Sequence, residues 1–551
     1  MTAVAHPRAE PRYASLIRGG RAYVWMTLLA LVLAAISLLW PSTPSYDPWS
    51  WLEWGREIFH GRLIIAGGSS WKPLPVIFTT VFAAFGSAQP YLWLLVARAG
   101  AALSIMVTTK LAARVSWRIV AAYRAGEPPL HALSFKERLA AISPALLAAA
   151  IALVGTAWTP TYPVPMMLGY SEGLAFTGFL IAGERAWDGR HRQAFAVGIV
   201  PCLDRPEVWP IWLIYGLWII WRDRRALPLV AGLFVLMLAL WAVPQKLGGG
   251  TLVGLATHAQ HNHSAHSAVN SSFPFWHELS EVVWPLAIER VEAVALILIA
   301  LTLYLVVRDR RRAGGWLGSI RRHSAVATAA FSGALGFIWW LGISLETQLG
   351  FAGNPRYAIL GVFLVYIGGS AGYAWAAVGL ARLVRKPRRR GVGAAASGTL
   401  AAALAMTLVF LFVPGWFAHR LPSLNSIRYA LRYQAELRER FVALIRRDGG
   451  AARVLACGTV MTNNYQVTML AWYLDVPIPR VQALPHALET GIQGPNVVFQ
   501  DAASQGAPIG PTEAQIQAWD EGWQSRDHTR YRVVADAPVT FYADCSAPGT
   551  I

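Results

Sequence analysis

The chain has 551 residues, of which 55% are hydrophobic and only 14% charged. Soluble proteins carry about 25% charged residues, so a soluble enzyme or a string of soluble domains is excluded. The formal charge of +18, from 48 basic and 30 acidic residues, does not indicate nucleic acid in so apolar a chain, and three cysteines exclude a disulfide-dense scaffold.

A membrane span needs about 20 predominantly apolar residues. Eleven apolar segments are predicted as spans: 24–41, 91–114, 141–158, 171–186, 194–204, 208–221, 226–244, 286–308, 324–345, 357–381 and 393–414. The fifth and sixth are short and read as a pair of helices meeting partway through the membrane around Asp204-Arg205-Pro206-Glu207. Arg8, Arg12, Arg18 and Arg21 precede a full-length span rather than the short apolar core of a cleavable signal. Arginine-rich loops alternate with loops nearly free of Lys and Arg, and this places the N-terminus in the cytoplasm and, after eleven spans, the C-terminus outside a plasma membrane. Residues 1–23 are then a cytoplasmic segment, 24–414 a transmembrane module, and 415–551 an extracytoplasmic domain.

The outer loops are 42–90, 159–170 and 244–285. In the first, Asp47 to Phe59 sets Trp51, Trp54 and Ile58 at near-helical spacing, which predicts an amphipathic helix lying at the membrane interface. Pro73 to Gly86 predicts a second interfacial helix. In the C-terminal domain, Arg453–Cys457 reads as a strand, Gln466–Leu474 as a helix, and Asn496–Gln500 and Tyr531–Tyr542 as further strands, giving a small α/β fold. Cys457 and Cys545 are expected in its first and last strands, where an oxidising compartment allows them to pair. Cys202 is a packing residue of the membrane part.

Charged groups near membrane depth are costly and mark function by default. Asp47 directly follows the first span in Tyr46-Asp47-Pro48, and Glu172 opens the fourth in Gly169-Tyr170-Ser171-Glu172-Gly173. Two carboxylates at one face fit a base and an electrostatic or metal-binding partner. Equally, Asp47 before Pro48 makes a helix cap, and a carboxylate such as Glu172 is favoured at a helix start. Lys72 before Pro73, Arg205 at the broken pair and Arg356-Tyr357 at the tenth span are candidate phosphate-side groups; snorkelling anchors and an Arg205–Glu207 ion pair are the plainer readings. His258, His261, His263 and His266 crowd one loop without a carboxylate or cysteine among them, so one histidine contacting substrate, His261, is favoured over a metal site. Trp49, Trp51, Trp54 and Trp71 are expected at the interface, with stacking on sugars as the other use.

Taken together, these residues resemble the GT-C superfamily of membrane glycosyltransferases. Aminoarabinose transferases, protein O-mannosyltransferases and actinobacterial arabinofuranosyltransferases share an acid after the first span, an outer loop ending in Lys-Pro, a second-loop acid, a broken pair with a basic residue and a late Arg-Tyr. The resemblance covers about residues 20–414 and implies a polytopic α-helical fold and a polyprenyl-phosphate sugar donor, with mannose and arabinofuranose among the sugars. It implies Asp47 as base and Glu172 as the second acid, both catalytic. Lys72, Arg205 and Arg356 would be phosphate-side cations, with Glu53, Glu207 and Tyr357 also at the substrate. The acceptor would be a cell-envelope glycan, lipid or protein, and direct displacement would invert the anomeric carbon. Many such enzymes have two adjacent acids in the first loop. Here Pro48 follows Asp47 and Glu53 comes six residues on, which leaves a divalent cation as an open requirement. A transporter or flippase is the alternative, but it predicts paired halves with two broken helices, and one is found; a scaffold presenting the outer domain leaves the charged residues without a common purpose.

Overall fold

The computed structural model describes residues 20–125, 127–252, 267–384, 392–412, 423–463, 465–483, 496–501, 532–536 and 538–546. Its main helices are α1 (Gly20–Ser37), α2 (Tyr46–Phe59), α3 (Pro73–Ala83), α4 (Gln89–Tyr123), α5 (Phe135–Ala157), α6 (Glu172–Trp187), α7 (Trp209–Arg222), α8 (Leu227–Gly249), α9 (Glu289–Asp309), α10 (Ser324–Gln348), α11 (Pro355–Val384) and α12 (Val392–Phe412). Seven of them, α1, α4, α5, α8, α9, α10 and α11, are long and apolar enough to cross a membrane. The protein is a polytopic α-helical membrane protein with a small C-terminal sheet.

Three of the other four predicted spans are shorter than a full span, and the fourth is a 21-residue helix. Segment 171–186 is the 16-residue α6, and 208–221 is the 14-residue α7. At 1.5 Å per residue each falls short of a ~30 Å hydrocarbon core. Segment 194–204 is two short helical pieces, His191–Val197 and Ile199–Cys202, ending at the expected break. Segment 393–414 is α12, which runs from Val392 to Phe412.

The core forms around α11, which packs against α4, α5, α9, α10 and α12. Its mid-section, with Ile359, Val362, Phe363, Val365 and Tyr366, is buried on every side. Small residues let the helices approach closely, the usual device where lipid removes most of the hydrophobic drive between helices. Gly173 shows it where α6 meets α4: a Cβ there would lie 2.5 Å from the Ala101 nitrogen.

The loop between α1 and α4 departs from expectation. α2 and α3 exist at the predicted places, but α2 does not lie on a surface with one face free. Trp49, Trp51, Leu52, Glu53, Trp54 and Glu57 are all buried, held between α3 and the C-terminal domain. Trp49, Trp51, Trp54 and Trp71 are each 2% exposed or less. They are packing residues, neither interfacial anchors nor a sugar-stacking platform.

The C-terminal domain comprises α13 (Leu424–Arg447), α14 (Ala451–Ala456), α15 (Val467–Leu474) and strands β1 (Val460–Thr462), β2 (Val481–Ala483), β3 (Val497–Asp501), β4 (Arg532–Asp536) and β5 (Val539–Ala543). The sheet order is β2-β1-β3-β5-β4, with β1 parallel to β2 and β3, and β5 antiparallel to β3 and β4. α13 is amphipathic and lays Phe441 on Phe499 of β3, ring centroids 5.4 Å apart. The predicted strand at Arg453–Cys457 is instead helix α14. A short apolar run reads either way, and here the alanines favour helix; the strand starts only beyond Gly458, whose φ is +124°. Cys457 and Cys545 therefore flank β1 and β5 rather than lying in them, and they form a disulfide with Cα atoms 4.5 Å apart. Cys202 is a buried free thiol.

The C-terminal domain is fastened onto α2. Arg56 donates to the Trp472 carbonyl at 2.7 Å, Trp472 donates to Gln89 at 2.9 Å, and Thr468 donates to the Tyr46 carbonyl at 3.1 Å.

Candidate functional site

Five residues far apart in sequence meet in one cluster, in which Lys72, Glu172 and Arg205 are buried, and each stands at the start of a helix. Asp47 is the second residue of α2, Lys72 precedes Pro73 as the N-cap of α3, and Glu172 is the first residue of α6. Arg205 is the N-cap of the 3-10 turn Pro206–Val208, and Arg356 is the second residue of α11, after Pro355. Proline is pre-organised for the first helical positions and forfeits no hydrogen bond there, which sets the starts of α3, of the turn Pro206–Val208 and of α11. Asp47 is not the helix cap the sequence allowed. Ser45 occupies that position, which leaves the Asp47 carboxylate to face across the cluster.

Glu172 is the hub. Its Oε1 accepts from Lys72 Nζ at 3.4 Å and from Arg205 Nη2, and lies 3.7 Å from Arg356 Nε. Arg356 Nη2 donates to Asp47 Oδ2 at 2.7 Å. Arg205 Nη1 also lies 3.5 Å from Glu207 Oε1. Aromatic faces back each cation: Trp51 under Lys72 at 5.2 Å, Tyr357 under Arg205 at 4.2 Å, and Tyr170 under Arg356 at 4.2 Å. Gly169, with φ +88°, makes the turn that delivers Tyr170, Ser171 and Glu172.

Asp204 and Ser171 also belong to the cluster, although neither was singled out from its residue type or spacing. Ser171 Oγ donates to Asp204 Oδ1 at 2.5 Å, and Lys72 Nζ stands 3.7 Å from the same oxygen. The available signal was adjacency, since Asp204 precedes Arg205 and Ser171 precedes Glu172. Glu53, by contrast, does not join. It is buried beside Arg56, which donates to it at 2.5 Å, on the side of α2 that meets the C-terminal domain. Burial, outweighing Arg56, pushes its carboxyl up to about 7. His258, His261, His263 and His266 lie outside the described residues.

The electrostatics of the cluster are unusual in two respects. Cations are disfavoured at helix N-termini, where the dipole already places partial positive charge, yet Lys72, Arg205 and Arg356 all stand there. Burying charges also costs several kcal/mol per ion unless partners satisfy them. Here Arg356 Nε and Nη1 and Arg205 Nε are buried without a hydrogen-bond partner. Carboxylate oxygens Glu172 Oε2, Asp204 Oδ2 and Glu207 Oε2 likewise lack a hydrogen-bond partner, Asp204 Oδ2 standing 3.8 Å from Arg205 Nε. Among the described residues no three His, Cys, Asp or Glu side chains converge as a metal-ligand set, and the cluster carboxylates face arginine or lysine.

A second charged network lies toward the far end of α6. Glu184 accepts from Lys110 at 2.6 Å and from Arg114 at 2.6 Å, and Arg114 also reaches Asp188. The network staples α6 to α4, with Arg114 Nε buried and without a hydrogen-bond partner.

No family model matches the chain, and no curated protein matches it. Among solved structures, ArnT from Cupriavidus metallidurans bound to undecaprenyl phosphate aligns at 13% identity and a TM-score of 0.44, covering 96% of this chain and 100% of that one. The apo structure of the same protein aligns at 14% identity and a TM-score of 0.44, covering 96% of this chain and 99% of that one.

Proposed function

We propose that the protein is a membrane glycosyltransferase that moves a sugar from a polyprenyl phosphate to a hydroxyl of a cell-envelope acceptor. The observation that carries this reading is the set of cations held at helix N-termini with buried N–H groups that make no hydrogen bond. Such an arrangement is poorly suited to a purely structural ion cluster and well suited to an anion that enters it. The phosphodiester donor offers those N–H groups two free oxygens, and the phosphate monoester that leaves offers three, so the donors meet more acceptor oxygen as the bond to the sugar breaks.

In this reading Asp47 takes the acceptor proton. The acceptor oxygen then bonds to the anomeric carbon as the carbon–oxygen bond to phosphate breaks, and the electron pair leaves on the polyprenyl phosphate, with inversion at the sugar. Arg356 touches both Asp47 and the phosphate subsite, so it couples the base to the leaving group. Glu172 acts as the second acid by holding Lys72, Arg205 and Arg356 around one point, while Asp204 and Ser171 position Lys72, and Glu207 and Tyr357 position Arg205. No step is routed through a metal. The charged groups gather at one end of the helices, the end carrying the C-terminal domain, which suits transfer there better than passage across the membrane. The donor sugar, mannose, arabinofuranose or another, is to be read from the assay.

The test is to incubate the purified chain in nanodiscs with a panel of polyprenyl-phosphate sugars and measure release of polyprenyl phosphate. Release by the wild type and its loss in Asp47→Asn support the reading. Release by D47N at the wild-type rate removes Asp47 as base, and no release from any donor removes the enzyme.

A further inference from the structure

The cluster is not uniformly enclosed. Lys72, Glu172, Asp204 and Arg205 are buried, whereas Tyr46, Asp47 and Arg356 are only half-buried. The approach to Asp47 is shaped by a residue from outside the helical module. Tyr465, half-buried in the turn between β1 and α15, sets its ring against that of Tyr46, centroids 5.8 Å apart and planes inclined by 59°. The turn is fixed locally, since the Tyr465 amide donates to Asn463 Oδ1 at 3.1 Å. The next turn of chain is fixed to α2 by Thr468. Burial raises the Tyr465 hydroxyl above its ordinary range, and the Asp47 carboxylate raises it further while Arg356 opposes the shift, so the ring stands within the field of both site residues.

Two tilted tyrosine rings beside a half-buried carboxylate are the elements of a sugar-binding subsite. Ring faces receive the C–H face of a pyranose or furanose, phenol groups pair with its hydroxyls, and the carboxylate accepts the hydroxyl that reacts. The position separates this subsite from the donor. Lys72 and Arg205, the cations proposed for the donor phosphate, bond Glu172 and are backed by Trp51 and Tyr357, whereas Asp47 pairs with Arg356 and directly follows Tyr46. Tyr465 belongs to the C-terminal domain, so what it touches comes from the side of that domain.

We propose that Tyr465 and Tyr46 form the acceptor subsite, in which the C-terminal domain contributes the specificity-determining residue Tyr465 that holds a hydroxyl-bearing sugar ring over Asp47. This rests on the glycosyltransferase reading above.

The test uses the full chain in nanodiscs with a donor that the wild type turns over, and methyl and n-octyl glycosides of glucose, mannose, galactose and arabinofuranose as acceptor probes. Tyr465→Ala is expected to raise KM for the accepted glycoside about tenfold or more with kcat changed less than about threefold. Its affinity for undecaprenyl phosphate stays within about twofold of wild type. Tyr465→Phe and Tyr465→Trp, which keep a ring, restore KM to within about threefold. If Y465A does not fold, Tyr465→Leu, which keeps bulk without a ring, is read in the same way. An unchanged KM in the ring-less variant overturns the proposal, as does an equal loss of kcat and undecaprenyl-phosphate affinity. Donor hydrolysis by a wild type that accepts no glycoside also overturns it. Failure of the wild type to turn over any donor instead overturns the glycosyltransferase reading, which keeps the two failures distinct.

Discussion

Arg356 and Asp47 are 309 residues apart in sequence and 2.7 Å apart in space. The contact ties the start of α11 to the start of α2, and through Arg356 Nε it continues to Glu172 at 3.7 Å. One guanidinium thus spans the two acids identified in the sequence. If the proposed function holds, removing it strips Asp47 of its orienting partner and the proposed phosphate subsite of two N–H groups that lack a hydrogen-bond partner, Nε and Nη1. Arg356→Ala is expected to weaken undecaprenyl-phosphate binding by about tenfold and to lower turnover by about a hundredfold or more. Arg356→Lys, a point charge without the planar fork, should recover only part of either. Lipid-phosphate binding by calorimetry and donor turnover on the same preparations check both.

Glu172 is the counter-charge for Lys72, Arg205 and Arg356. Glu172→Gln leaves three buried cations with the remaining acids, and truncating one member of a buried ion network costs about 3–5 kcal/mol. The variant should melt well below wild type. Added undecaprenyl phosphate should recover part of the loss, since an anion in the same place takes over the lost charge. A melting temperature equal to that of wild type would remove Glu172 as the hub.

Glu278 tests burial of charge outside the cluster. It is fully buried, and neither carboxylate oxygen has a hydrogen-bond partner. A Cβ on Gly353 would sit 2.1 Å from its Oε2. Burial pushes its carboxyl from an ordinary 4.5 up to about 7. The folded state therefore holds a proton that the unfolded state has already lost between those values, and stability falls as pH rises from 4.5 to about 7 and stays low above. Glu278→Gln should melt higher than wild type at about pH 8, with the gap closing toward pH 4.5. A gap independent of pH would show that the effect is not the proton.

The Cys457–Cys545 disulfide closes a loop with a sequence separation of 88. Loop-closure entropy gives such a link a stabilisation of about 4–5 kcal/mol at most. Reduction, or Cys457→Ser with Cys545→Ser, should make the C-terminal domain sensitive to limited proteolysis while the helical module resists. Because Tyr465 is carried by that domain, glycoside-dependent transfer should fall on reduction more than lipid-phosphate binding does.

Gly173 tests how the hub is placed. It follows Glu172 directly and lets α6 close on α4, with no room for a methyl against Ala101. Gly173→Ala should push the start of α6 outward and misplace Glu172. Turnover is expected to drop about tenfold or more, with a stability loss of about 1–3 kcal/mol from overpacking. Turnover and melting temperature of the purified variant measure the two effects.

Much of this protein is set by local sequence. Apolar length wrote the membrane helices that form α1, α4, α5 and α8 to α11, because backbone in lipid must satisfy its own hydrogen bonds and a helix does so within one segment. The residues of the cluster were also legible one at a time. Asp47-Pro48, Lys72-Pro73, Arg205-Pro206 and Pro355-Arg356 each pair a charged residue with a proline that starts a helix. Their meeting was not legible, since it depends on how α2, α3, α6 and α11 pack and not on any one segment. The same packing settled the remaining outcomes. It buried the four tryptophans of the first loop, turned Glu53 away from the site, and brought in Asp204 and Ser171. It also set Tyr465 of the C-terminal domain against Tyr46, next to Asp47 in sequence. A helix start is a local event, fixed by a few dihedral angles and a proline. An ion cluster is a long-range one, formed only where close helix packing removes water and leaves charged side chains no partners but each other.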